Sequence, residues 1–196
     1  LWTCFTVGNP VNAAVRWKGY YYAATDEGLF RVPVDALVEN FDVWEKLGDD
    51  WGLPENDGFD ALGIFNRWLV AGSGPLVYLT EDMFFDTLHV AQGFEARFIQ
   101  GGRQYVLINY YCGDDCDSKV IAYNANLEFT ESSPGCVNRT FESLEDERGF
   151  IWYADQFDNF RVVPGNGAQW QVLGINGPFS KNVNDIEVGQ VEIVVA

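Results

Sequence analysis

Histidine occurs once in the 196 residues, at His89, and methionine is also present only once. Nucleophilic hydrolases set a base beside the nucleophile, usually histidine. His89 stands in TLHVAQG, and the chain has no Gly-x-Ser-x-Gly elbow, so no Ser-His-Asp triad is encoded. A surface or strand-edge histidine is expected instead. Cations are scarce too: 12 Lys and Arg face 29 Asp and Glu, for a net charge of −17. Proteins hold nucleic acid by displacing counterions with Lys and Arg, so nucleic acid is not a partner for this surface. No stretch approaches the ~20 apolar residues that cross a bilayer, so no transmembrane segment is expected. No charged start followed by an apolar run is present either. Helical periodicity is weak throughout; only DALVENF, Asp35–Phe41, has apolar residues spaced for one short turn.

Cysteine is limited to Cys4, Cys112, Cys116 and Cys136. Zinc would need all four thiolates, since no histidine lies near them, and Cys4 is remote in sequence. One or two disulfides in an oxidising compartment are expected, with free buried thiols as the alternative. Cys112 with Cys116, or either with Cys136, would staple a loop; the spacing alone does not choose the pairing.

What the chain has in abundance is aromatic residues (16%), glycine (20 residues) and carboxylates. Aromatic and β-branched residues suit pleated surfaces, and glycine suits tight corners, so the composition points to an all-β fold. A cassette of four short strands recurs. It is clearest in SLEDERGFIWYADQFDNFRVV, Ser143–Val163, followed by QWQVL around Trp170. The same order appears in Val11–Trp17, Tyr20–Thr25, Leu29–Val32 and Val43–Leu47. It returns in Ala61–Phe65, Trp68–Ala71, Leu76–Leu79 and Phe84–Leu88. A third copy runs through Ala96–Gln100, Tyr105–Tyr110, Val120–Tyr123 and Leu127–Phe129, and Val183–Val188 with Val191–Ala196 begins a fifth. First-corner residues Gly19, Asn66, Gly102, Gly149 and Gly189 are 47, 36, 47 and 40 residues apart. A period of about 40 residues holding four strands is the signature of a β-propeller blade. The expected blades are 6–48, 58–90, 94–131 and 138–174, with a partial blade at 182–196. The chain opens on Leu1-Trp2 and closes on VEIVVA inside a strand, so a piece of a larger propeller, completed by the remainder of that propeller, is expected.

YYYAATDEGLFRV and EDERGFIWYADQFDNFRV resemble the repeat of two-component-regulator propellers. That repeat runs as an acidic residue, a turn glycine, apolar-Trp-apolar, Ala/Gly-Thr, a turn, then Gly-Leu-Tyr/Phe-Arg. The likeness is best at Gly19–Val32 and Asp146–Val163, partial at Asn66–Leu79 and Val183–Ala196, and weak in the third copy. The excursion VPVDALVENFDVWEKLG is similar to one in propellers attached to bacterial type IX secretion systems. The resemblance implies an extracytoplasmic propeller, in the periplasm or at the cell surface, used for sensing or assembly. It implies no catalytic residues.

Chemistry-bearing groups are few. Glu145-Asp146-Glu147 reads as a solvated acidic corner rather than an acid/base pair, which needs two carboxyls converging on a substrate. It departs from the Asp-box of sialidase-type propellers, because two residues rather than one separate Asp146 from Gly149. In Gly113–Ser118, Asp114, Asp115 and Asp117 are candidate Ca²⁺ ligands, although the order is not that of an EF-hand loop. An exposed acidic loop is the plainer reading. Trp2, Trp44 and Trp170 are expected on outer strands and Trp68 and Trp152 on second strands, where aromatics pack between sheets. The candidate ligand-binding residues are Asn12, Asp60, Glu142 and Asn184, which recur near the start of each copy, where innermost strands line a propeller's channel. The expected function is non-catalytic binding of a protein or glycan, with a glycan hydrolase or lyase as the alternative.

Overall fold

The computed structural model describes residues 10–38, 40–55, 57–112, 118–131, 140–155, 159–163, 171–173, 186–188 and 193–195. The chain forms two compact units, 1–99 and 100–196.

In the first unit, β1 (Val11–Trp17), β2 (Tyr20–Thr25), β3 (Gly28–Pro33) and β4 (Glu45–Leu47) pair in sequence order as one antiparallel sheet. A second sheet follows in the same order: β5 (Ala61–Phe65), β6 (Trp68–Ser73), β7 (Leu76–Thr80) and β8 (Asp86–Val90). Strand side chains alternate between faces. Trp17, Tyr22, Ala24, Leu29 and Leu47 of the first sheet therefore meet Leu62, Leu69, Ala71 and Tyr78 of the second in one buried cluster, joined by Leu53 and Phe59. Leu29, Leu47, Leu53 and Leu69 are at most 1% exposed. Each contributes about 2 kcal/mol of burial energy. The first corners also meet: Trp17 Nε1 donates to the Arg67 carbonyl at 3.2 Å.

The unit boundary falls inside β9 (Glu95–Gly101). A third sheet orders β9, β10 (Tyr105–Tyr111), β11 (Lys119–Asn124) and β12 (Phe129–Glu131). A fourth orders β13 (Thr140–Glu145), β14 (Ile151–Asp155), β15 (Asn159–Val163) and β16 (Gln171–Leu173); β17 (Ile186–Val188) and β18 (Ile193–Val195) form a pair. In the second unit Leu107, Val120 and Ala122 pack against Ile151 and Tyr153. On the other face of β14, Trp152 and Ala154 pack with Leu144 and Val162.

β8 and β12 each begin two residues later than the sequence reading placed them, and three further features differ from it. Trp44 is not on the outer strand: Asn40 Oδ1 accepts from Asp42 N–H and caps a 3-10 turn at Phe41–Val43, which delays β4 to Glu45. The indole of Trp44 donates instead to the Val38 carbonyl at 3.0 Å. The first corner of the third sheet is Arg103-Gln104 and does not include Gly102, the residue expected there, since Gly102 N–H donates to the Tyr105 carbonyl at 2.8 Å. Gly102 is required by a close approach: a Cβ there would lie 2.4 Å from Glu145 Oε2. That carboxylate accepts from the N–H groups of Gln104 (2.8 Å) and Tyr105 (3.0 Å), closing the corner from the next sheet.

The third difference is the acidic corner. Only Glu147 of the three carboxylates is solvated; Glu145 is half-buried and Asp146 is 6% exposed. Asp146 Oδ1 accepts from Arg148 N–H and Phe150 N–H, each at 2.9 Å. Its Oδ2 accepts from Trp152 Nε1 at 3.1 Å and Arg148 Nη2 at 3.0 Å. Burial pushes the Asp146 carboxyl up, but these donors together outweigh it and hold it below the usual carboxylate range. His89 lies half-buried on β8, an edge strand of its sheet. Trp68 and Trp152 are on second strands; Trp2 and Trp170 fall outside the described residues.

Candidate functional site

Register decides which residues share a position in the repeated sheets. β1 closes its first corner at Trp17↔Tyr20 and β5 at Phe65↔Trp68. Counting back, Ala13 (opposite Ala24) matches Ala61 (opposite Gly72). Asn12, the extra residue of a bulge between Val11 and Ala13, therefore matches Asp60, the residue before β5. A bulge residue is freed from the ladder and its side chain is re-aimed. In β13 the corresponding bulge residue is Phe141, and Glu142, opposite Ala154, matches Ala13 instead. Glu142 is thus one residue out of step with Asn12 and Asp60. The residue at the same distance before the third corner is Arg97, which the sequence reading passed over. Its signal was available only as an offset from Gly102.

In the first unit Asn12 is tied to the connector that precedes Asp60. The amide of Asn12 donates to Asp26 Oδ1 at 2.8 Å and to the Phe59 carbonyl at 3.0 Å. Phe59 N–H in turn donates to the Thr25 carbonyl at 2.8 Å, so the connector before β5 is bonded to the β2–β3 turn. Gly58 permits this docking, because a Cβ would come within 2.8 Å of the Asp26 carbonyl oxygen. Asp60 N–H donates to the Gly72 carbonyl at 3.0 Å, and its carboxylate meets Arg97 Nη1 at 3.4 Å. Arg97 is shared, with its Nη2 2.5 Å from Glu95 Oε2.

These elements frame an open cleft of about 420 Å³ lined by Asp26, Asp57, Gly58, Asp60, Ser73 and the Gly74-Pro75 hairpin corner. Burial raises the Asp60 carboxyl above its ordinary range; Arg97 and the Gly74 N–H oppose this, while Glu95 and Asp26 add to it. Asp26 and Asp57 are exposed at the rim. The carboxylates of Asp26, Asp57 and Asp60 and the hydroxyl of Ser73 give the lining oxygen acceptors, suited to a ligand that donates hydrogen bonds. Asn184 and the loop carboxylates Asp114, Asp115 and Asp117 lie outside the described residues, so their geometry does not enter the site. Glu142 is half-buried on β13 of the second unit.

Sheets of four antiparallel strands in simple meander order, packed face to face within each unit, define the fold as that of β-propeller blades. No family model matches the chain, and no curated protein matches it. Solved propellers do. PorZ, an essential bacterial surface component of the type IX secretion system of Porphyromonas gingivalis, superposes with a TM-score of 0.67 at 12% identity, over 95% of this chain and 24% of PorZ. The extracellular domain of BT4673 from B. thetaiotaomicron, described as a one-component system, gives 0.72 at 12% identity, over 94% of this chain and 26% of that one. The WD40 β-propeller domain of Doa1 gives 0.60 at 8% identity, over 95% and 62%. The chain spans about a quarter of the length of the first two. At these identities the likeness is one of fold.

Proposed function

We propose that this chain is part of an extracytoplasmic β-propeller that binds a protein or glycan ligand without catalysing a reaction, in surface sensing or a type IX secretion assembly. The observation that supports the reading is the cleft lined by Asp26, Asp57 and Asp60, beside which Asn12, the register equivalent of Asp60, is bonded to Asp26 and to the Phe59 carbonyl. The fold of PorZ and of the BT4673 extracellular domain supports the location. So would the one or two disulfides expected from the four cysteines, which persist in an oxidising compartment. The raised carboxyl of Asp60 in a cleft favours a second reading, a glycan hydrolase, since perturbed carboxyls mark many acid/base sites. The two separate when the full chain is run on a glycan array and against a panel of polysaccharide substrates. Saturable binding without turnover is expected; release of reducing ends that disappears in Asp60→Asn would replace the proposal with the hydrolase.

A further inference from the structure

The cleft of the first unit holds more acceptor capacity than the fold uses. Both Asn12 amide hydrogens are engaged, one on Asp26 and one on the Phe59 carbonyl. Arg97 is the cation beside Asp60, and it is divided between Asp60 and Glu95. Asp57 at the rim makes no hydrogen bond or ion pair among the described residues, and Asp26 accepts there only from the Asn12 amide. An acidic rim alone would be a solvated surface. An independent observation lies in the wall: Ser73, only 5% exposed, lines the cleft, and its hydroxyl has no hydrogen-bond partner among the described residues. Its counterpart in the first sheet is Thr25, which occupies the same register position. Thr25 is fully buried, and its hydroxyl donates to the Gly28 carbonyl at 3.0 Å and accepts from Glu27 N–H at 3.2 Å. The same position is internally satisfied in one sheet and left open toward a cleft in the next. The Ser73 hydroxyl is reached by water from the cleft rather than sealed from it, so a ligand that enters can take the place of that water.

The shape narrows the ligand. Gly58, Gly74 and Pro75 add little side-chain bulk and a partly apolar lining, which suits an extended side chain with an alkyl stem. Among the described residues no three His, Cys, Asp or Glu side chains converge as metal ligands, so a divalent cation, which wants six to eight oxygens, is not the match. A side chain with an alkyl stem and a cationic, multiply donating head is. We propose that the cleft receives an arginine or lysine side chain from a basic segment of a partner protein, its head group donating to Asp57, Asp60 and Ser73. The proposal rests on the binding reading given above and names its partner class.

The test titrates the full chain with tetra-arginine, and with tetra-citrulline as a neutral isostere, following heat and amide chemical shifts. A chain of charge −17 attracts any polycation, so position is the discriminating observable. Tetra-arginine is expected to saturate and to move the amides of Gly58, Ser73 and Gly74, while tetra-citrulline does neither. Asp57→Asn, at an exposed residue outside every strand, is expected to weaken binding about tenfold, equal to about 1.4 kcal/mol. Ser73→Ala is expected to weaken it several-fold, and Asp86→Asn, on β8, to leave it unchanged. Shifts spread over the acidic surface, or equal losses in Asp57→Asn and Asp86→Asn, would overturn the proposal. A glycan from the array that moves the same three amides while tetra-arginine does not would overturn the partner class and leave the binding reading standing. Polysaccharide turnover abolished by Asp60→Asn would overturn both.

Discussion

Two acidic clusters look alike in sequence and differ in what surrounds them. Asp146 sits in a three-residue corner that turns donors inward onto both of its oxygens. Asp60 sits before a strand, shares one arginine with Glu95, and opens onto a cleft with Asp26 and Asp57. The titrations follow the donors. Although Asp146 is the more buried, its carboxyl is held low, while that of Asp60 is held high by burial that its partners only partly offset. A carboxylate with its donors supplied by the fold is a structural strut. One buried without enough donors is available to a ligand.

The largest expected effect tests the strut. Asp146→Ala leaves the Trp152 indole N–H and the Phe150 N–H without their acceptor, and should cost about 3 kcal/mol in urea unfolding of the full chain. Asp146→Asn should cost less, because one oxygen still accepts. Next comes the corner that Glu145 closes. Glu145→Ala frees the Gln104 and Tyr105 N–H groups at a partly exposed place and should cost about 1–2 kcal/mol. Gly102→Ala should cost a similar amount, since its Cβ displaces the same carboxylate. The two losses should fail to add in the double variant, because they break one interaction. The smallest effect is at the cleft: Asp60→Asn should change stability by no more than about 0.5 kcal/mol near pH 7, the loss of the Arg97 pair being offset by relief of a buried charge.

pH gives the comparison opposite signs. Asp146 has its folded-state carboxyl lowered, so its contribution is present above the unfolded value of about 3.9 and is lost as pH falls through the folded value. Asp60 has its folded-state carboxyl raised, so its contribution is present below about 3.9 and is lost as pH rises through the folded value. Urea midpoints measured across this range should fall less on the acid side in Asp146→Asn, and should fall less on the rising side in Asp60→Asn. The same change in both variants would remove the distinction between the clusters.

Much of the fold was legible because the propeller cassette is written in local signals. Alternation and corner residues located strands such as Val11–Trp17, Tyr20–Thr25 and Ala61–Phe65, which form where the sequence places them. Trp44 was misplaced because the cap from Asn40 is a single side-chain hydrogen bond within an excursion of no clear period. The Arg103-Gln104 corner was missed because a Gly-Gly pair is the stronger local signal, whereas Gly102 answers to Glu145, 43 residues away. The site was half legible. Asn12 and Asp60 stand out as polar residues at the start of a copy. That they share a register position, that Glu142 does not, and that Ser73 faces the cleft unpaired all depend on the bulge in β1 and on contacts between neighbouring sheets.

The most direct measurement takes Asp60→Asn and Asp146→Asn in the full chain and reads two quantities from each, the urea midpoint and the affinity for tetra-arginine. The predicted result is a crossed pair. Asp146→Asn lowers the midpoint and keeps the affinity; Asp60→Asn keeps the midpoint and lowers the affinity. Parallel losses in both variants, or an affinity indifferent to Asp60, would contradict the division between strut and site.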